Sequence, residues 1–254
     1  MTDEVLYETR DQIFIITINR PERRNAISMA VREHLRDAFP RFESDPALRV
    51  AILTGAGDQA FCSGMDLKEA AELKLQGTPY LPTLGENLKV TKPVIAAVNG
   101  HAYGGGWRLA QMCDLCIAAD TASFGIPEAK FGRGFAWAVP LLQMIPRRVA
   151  LELLMTARPI SAQRAYEIGF VNQVVPSKEL MAKAIELALE IAANAPLTVC
   201  AAKEMAYLAA EMGRSAALKY AHQMFDEKVY GSEDAIEGPR AFKEKRKPSW
   251  KGRW

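Results

Sequence analysis

Long apolar runs are missing from this 254-residue chain. Nowhere do eighteen apolar residues follow one another, so no segment reads as a membrane-spanning helix. Cysteine is scarce. The 4 cysteines, Cys62, Cys113, Cys116 and Cys200, lack the spacing of a disulfide framework and read as reduced thiols. Cys113 and Cys116 form a CxxC, but no second Cys or His pair at zinc spacing follows, so no metal site is expected. Charge of one sign is nearly absent: a net +2 excludes a surface dedicated to nucleic acid or to anionic membranes. The basic stretch 243–253 is a local exception. The opening MTDEVLYETRD is too polar for a secretory leader, and a cytoplasmic location is expected.

What is present is an ordinary globular composition, with 49% hydrophobic residues. Residues 13–18 read as a strand of branched side chains. Residues 28–42 read as a helix, with Met29, Val31, Leu35, Ala38, Phe39 and Phe42 near helical spacing. Short apolar strands at 50–53, 94–98 and 115–118 alternate with helices, which predicts parallel pairing covered on both faces. From about residue 148 the pattern turns helical. Ser161 is an N-cap, Gly169 a stop, and further helices are expected at 178–193, 197–212 and 215–229. The expectation is a β/α core over 1–194 and a helical region over 195–254. The segment 76–86, with two prolines and two glycines, reads as a mobile loop.

The stretch HAYGGGWRLAQMCD, residues 101–114, places three glycines at the mouth of a short helix. A dinucleotide loop is one reading, and Asp120 stands 20 residues after Gly100. The Gly-x-Gly-x-x-Gly order is absent, however, and the helix is too short. A second reading is an oxyanion device. Glycines let substrate approach the backbone, and a helix start offers unpaired amides and a positive dipole end. A partner loop, GAGDQAFCSGMDLKEA (55–70), also runs from a strand into a helix, with Asp66 as its cap. Two such loops in one core point to a shared site for an anion, such as a thioester enolate.

AFCSGMDLKE, KPVIAAVNGHAYGGGWRLAQMCD, FGIPE, RPISAQRAYEIGFVNQVVP and AFKEKRKPSW resemble the crotonase (enoyl-CoA hydratase/isomerase) family, in order and along nearly the whole chain. The resemblance implies a crotonase-like spiral of ββα units, an acyl-CoA substrate and no cofactor beyond the coenzyme A which that substrate carries. It also implies a helical C-terminal region forming homotrimers, often paired into hexamers. By motif, the oxyanion amides fall at Met65 and Gly105. Arg24, Ala26 and Lys68 fall where the family touches CoA, and Phe242 and Lys245 match tail residues that reach CoA, in many members from a neighbouring subunit. The basic tail then serves a CoA phosphate or solubility. A relative in the family binds RNA, but no basic helix interleaved with aromatics supports that role here.

Family hydratases use two glutamates. The later one matches Glu128; the earlier position, 20 residues before, holds Arg108. A guanidinium offers no acceptor and stays charged, so it cannot replace a carboxylate that activates water. Three readings follow: Glu128 acts as the single acid/base, as in the family's double-bond isomerases; Arg108 anchors a carboxylated acyl-CoA for hydration, dehydration or decarboxylation; or Arg108 points away, leaving a weak hydratase. Pairing of Arg108 with Glu128 would hold the latter ionised. A CoA-binding scaffold without turnover is the non-enzymatic alternative. His101 reads as structural, Tyr103 as a hydrogen-bonder near the thioester, and Asp114 as a helix end or ion-pair partner. Phe135 and Trp137 are bulky for the family's acyl pocket and, if they face it, favour a short or flat acyl group. Ala136 stands where a diene-shifting subgroup carries a second acid.

Overall fold

Branched and apolar residues on both faces of successive strands leave them no stable place except inside, covered from two sides. The computed structural model, which describes residues 3–73 and 81–253, places them there. The strands are β1 (Val5–Arg10), β2 (Ile13–Ile18), β3 (Val50–Gly55), β4 (Ala60–Cys62), β5 (Val94–Val98), β6 (His101–Tyr103), β7 (Leu115–Ala119), β8 (Ser123–Gly125), β9 (Ile160–Ser161) and β10 (Gln173–Val175). One sheet has the order β1-β2-β3-β5-β7-β10 and a second the order β4-β6-β8-β9. In the first, only β1 runs antiparallel to its neighbour. In the second, only β9 does. The main strands expected from the sequence are present, β3 and β7 running slightly longer; β1 was not anticipated, because its VLYETR buries fully only Val5.

Helix α1 (Met29–Ser44) begins one residue later than expected, because Ser28 is its cap: the hydroxyl accepts from the Val31 amide at 3.0 Å. The helix Leu180–Ala192 crosses β2, β3, β5 and β7 with Ala184, Ala188 and Ala192 buried along one stripe. Small side chains at a four-residue repeat let the helix lie close against the sheet.

The main core ends at Ala192. Beyond it come the helices Pro196–Glu211, Arg214–Phe225 and Glu233–Lys243. The helix expected over 215–229 widens at its end into a π turn, Asp226–Tyr230. Of the expected loop 76–86, residues 76–80 lie outside the described residues. Residues 81–86 enter a tied turn, in which the Thr83 amide donates to Asn87 Oδ1 at 2.7 Å and the Glu86 amide to the Thr83 carbonyl at 3.3 Å. Among the described residues no single helix is long and apolar enough to cross a membrane.

Candidate active site

The two sheets meet where β4 and β6, paired in parallel, each hand the chain to a helix: α2 (Leu67–Glu72) and α3 (Gly105–Met112). The three glycines before and inside α3 answer three different constraints. Gly104 takes φ 54°, ψ −116°, a conformation closed to side-chain-bearing residues, and a Cβ there would sit 3.1 Å from Glu128 Oε1. Gly105 faces Gly64 of the other loop, whose Cα would lie 3.5 Å from an added Cβ. Gly106 presses on the Cys62 carbonyl, where a Cβ would fall 1.9 Å from the oxygen. The triplet therefore brings α3, the 62–65 segment and Glu128 into van der Waals contact.

This contact sets the segment that carries Met65 against the start of α3. Ile27 forms a parallel bridge with Met65: its amide donates to the Gly64 carbonyl at 2.8 Å, and its carbonyl accepts from the Asp66 amide at 3.1 Å. Alternation along an extended strand turns the intervening Met65 amide to the opposite edge. Gly105, the first residue of α3, has no intrahelical acceptor for its amide. Among the described residues neither amide has a hydrogen-bond acceptor. Asp66 caps α2 by accepting from the Lys68 and Glu69 amides at 3.2 and 3.3 Å, and Arg20 ties it at 3.0 Å to the loop before α1. Arg20 also donates to the Ala26 carbonyl at 2.7 Å. These bonds hold the Met65 segment from both sides.

Glu128 lies in a short 3-10 turn after β8. Its Oε2 is buried and has no partner among the described residues. Burial lifts its carboxyl above the ordinary glutamate range, while its own backbone amide and the Trp137 indole pull the other way. Trp137 is held in turn by Gln111 of α3, which donates to its carbonyl at 2.9 Å.

The rotation of α3 is fixed by Trp107, fully buried against Phe124 and Phe170 at 5.6 and 5.1 Å between ring centroids. Arg108 then faces away from that aromatic group. It is 9% exposed, and its Nη2 donates to Glu86 Oε2 at 2.8 Å; Glu128 is not among its partners. Glu86 was missed from the sequence, since nothing in its local pattern marks it.

Arg24, Ala26 and Lys68 gather around the same loops, Arg24 accepting from the Ser63 amide at 3.0 Å through its carbonyl. Phe242, 88% exposed, lies in the last turn of the helix Glu233–Lys243, and Lys245 follows that helix. Tyr103 donates or accepts at Ser123 Oγ, 3.0 Å away, and that hydroxyl also meets His101 Nδ1 at 2.7 Å. Asp114 pairs with Lys203 at 2.7 Å and accepts from Tyr207 at 2.9 Å. Cys113 and Cys116 are buried thiols, both pushed up by burial. Among the described residues no three His, Cys, Asp or Glu side chains gather to hold a metal ion.

Comparison with known proteins identifies the family of the chain. The family described as enoyl-CoA hydratase/isomerase matches residues 8–253. The chain belongs to the enoyl-CoA hydratase/isomerase family. It is an enzyme of that class with the crotonase fold. A probable enoyl-CoA hydratase/isomerase from Mycobacterium abscessus superposes with a TM-score of 0.91 at 41% identity, covering 100% of both chains. An enoyl-CoA hydratase from Mycobacterium marinum does so at 0.90 and 39%, over 99% of this chain and 100% of that one. Carnitinyl-CoA dehydratases are also similar. That of Proteus mirabilis is 42% identical over 267 residues, 100% of both chains, and that of Escherichia coli K12 is 43% identical over 98% of this chain and 99% of its own. Within this hydratase/isomerase, Arg108 is paired with a carboxylate from a distant turn, that of Glu86.

Proposed function

We propose that this enzyme binds a CoA thioester with its carbonyl oxygen between the Met65 and Gly105 amides, and that Glu128 is its single acid/base. The observation that carries the reading is the Glu128 carboxyl lying against Gly104, next to the unpaired Gly105 amide. Withdrawal of a proton beside the thioester pushes charge onto that oxygen. Two fixed donors in a dry site stabilise the enolate as it forms. Glu128 then returns the proton at the far end of the shifted double bond. A carboxyl raised by burial is a stronger base than an ordinary glutamate. Hydration would require a second group to hold and activate water, and Arg108 offers no acceptor. Isomerisation is therefore favoured over hydration. The names of the carnitinyl-CoA dehydratases raise elimination of water as a second reaction, which would require a proton donor for the departing hydroxide.

Arg24, Ala26 and Lys68 fit the CoA moiety, since their loops flank Met65. No cofactor is needed beyond the coenzyme A of the substrate, and a cytoplasmic location goes with such a substrate. We read residues 195–254 as an oligomerisation region forming a homotrimer or hexamer. Exposed apolar residues there, among them Leu218, Tyr230, Ile236 and Phe242, support this. Phe242 and Lys245 would reach a neighbour's CoA.

The test is Glu128→Gln with a 3-enoyl-CoA and with crotonyl-CoA. Turnover of the 3-enoyl compound should fall roughly 10²–10⁴-fold, the range for losing a general base, with thioester binding kept within a few-fold. Because the carboxylate is the active form, the wild-type rate should fall as pH drops through a value above the ordinary glutamate pKa of about 4.3. A fully active Gln variant would overturn the assignment. Thioester binding without turnover of any enoyl-CoA would favour the scaffold.

A further inference from the structure

We infer that the acyl group this site selects is short and ends in a carboxylate, with Arg108 as its anchor and Glu86 holding that place until it arrives. The inference rests on the thioester reading above and adds the substrate class.

Three observations converge on it. First, Arg108 is 9% exposed, and its Nε is buried with no partner among the described residues. An arginine presents Nε and Nη2 as one edge of a fork that matches the two oxygens of a carboxylate. Only half of that edge is filled here, by a single 2.8 Å contact from Nη2 to Glu86 Oε2. Second, Glu86 is poorly suited to be a permanent partner. Its side chain is 63% exposed, at the surface of a turn whose backbone is tied independently of it through Thr83, Leu88 and Asn87. It can swing to water without disturbing that turn. Third, the location is right. The Arg108 amide donates to the Gly104 carbonyl at 3.0 Å, so Arg108 lies one helical turn above the glycine that Glu128 touches. The Cα–Cβ bond of a helical residue tilts toward the N-terminus, which leans the guanidinium back over that turn. A rise of about 1.5 Å per residue puts the Arg108 backbone roughly 4.5 Å along the axis from the Gly105 amide. A chain of a few carbons spans the interval from a thioester oxygen at that amide to the guanidinium. Glu128 is not among the partners of Arg108, which leaves the cation available to the substrate.

The same geometry disfavours a cationic acyl group. A trimethylammonium chain, as in the substrate class named for the carnitinyl-CoA relatives, would bring its charge against the guanidinium.

The experiment compares succinyl-CoA, butyryl-CoA and 4-trimethylammoniobutyryl-CoA by isothermal titration. The first two share a four-carbon acyl skeleton and differ in a carboxylate against a methyl group. The wild type should bind succinyl-CoA at least tenfold more tightly than butyryl-CoA, and the cationic ester most weakly of the three. Arg108→Met should bring the succinyl/butyryl ratio close to one. Glu86→Gln, a surface change that does not threaten folding, should raise the ratio several-fold by removing the competing carboxylate. Equal wild-type affinity for succinyl- and butyryl-CoA, a preference that survives Arg108→Met, or tighter binding of the cationic ester would overturn the carboxylate anchor while leaving the thioester reading intact. Failure of all three esters to bind would overturn both.

Discussion

The chain up to Ala192 and the helices from Pro196 onward are held together by different means. In the first, one continuous apolar core reaches from Val5 to Ala192, and backbone segments press against each other through glycines. In the second, only Ala201, Met224 and Val229 form a buried apolar cluster of their own. Polar pins secure the rest. Asp114 takes Lys203 and Tyr207, Arg49 donates to the carbonyls of Ala192 and Trp250, the Trp250 indole donates to the Ala193 carbonyl at 2.7 Å, and Asp234 accepts from the Lys251 and Gly252 amides at 2.6 and 2.9 Å. Close packing fixes positions to fractions of an ångström, and pins fix only points. The candidate catalytic groups all lie in the close-packed part. The helical part leaves its apolar side chains facing outward, which suits a surface completed by another copy of the chain.

Introducing one methyl group into each region tests this contrast most sharply. Gly106→Ala should be the most damaging small substitution in the protein. Its Cβ would lie 1.9 Å from the Cys62 carbonyl oxygen, and neither backbone can yield without moving α3 or β4. A loss of more than about 4 kcal/mol is expected, at the far end of the range for single substitutions. Urea melts followed by circular dichroism measure it. A cost under 1 kcal/mol would mean that the two loops are not in contact as described.

An intermediate effect is expected where the outward apolar residues are removed. Ile236→Ser combined with Tyr230→Ser takes away two side chains that are 73% and 70% exposed. Surface changes of this kind move monomer stability by about 0.5 kcal/mol or less each. If they line the oligomer interface proposed above, their effect should appear as a shift toward monomer on dilution, read by light scattering coupled to size exclusion. A protein whose mass at every concentration equals that of the unaltered chain would remove these residues from any interface.

How much of this was legible in the sequence depends on how local the cause is. The branched runs of β2, β3, β5 and β7, the caps at Asp66 and Ser161, and the glycine start of α3 are set by neighbours within a few positions and are legible in the sequence, whereas Ser28 reads as the first helical residue and proves to be the cap. The strands β4, β6, β8 and β9, two or three residues each, are too short to carry a period of their own. Their pairing is imposed by the helices and turns around them. At the site, motifs single out Met65, Gly105 and Glu128; the segment that carries Met65 touches Gly105 through Gly64, and Glu128 lies against Gly104. The partner of Arg108 was not legible, because Glu86 reaches it only through the fold of the turn at 83–88. The ties from Arg20 to Asp66 and to the Ala26 carbonyl were hidden for the same reason. Local rules announce elements and caps, whereas the electrostatics of a site depend on which distant turns the packing brings beside it.

The smallest effect should come from the same methyl group in the other region. Gly213 precedes the helix Arg214–Phe225 with φ −64° and ψ 145°, a conformation alanine adopts without strain. A Cβ there meets nothing within 4 Å. Two modest terms then oppose each other. Alanine restricts the unfolded chain, worth about 0.4–1 kcal/mol in favour of the fold. As an N-cap, alanine is poorer than glycine, which returns a similar amount. Gly213→Ala should therefore lie within about 0.5 kcal/mol of the parent in the same urea melts. If it proved as costly as Gly106→Ala, the helical region would be packed as tightly as the core, and its outward apolar residues would need another explanation than a missing partner.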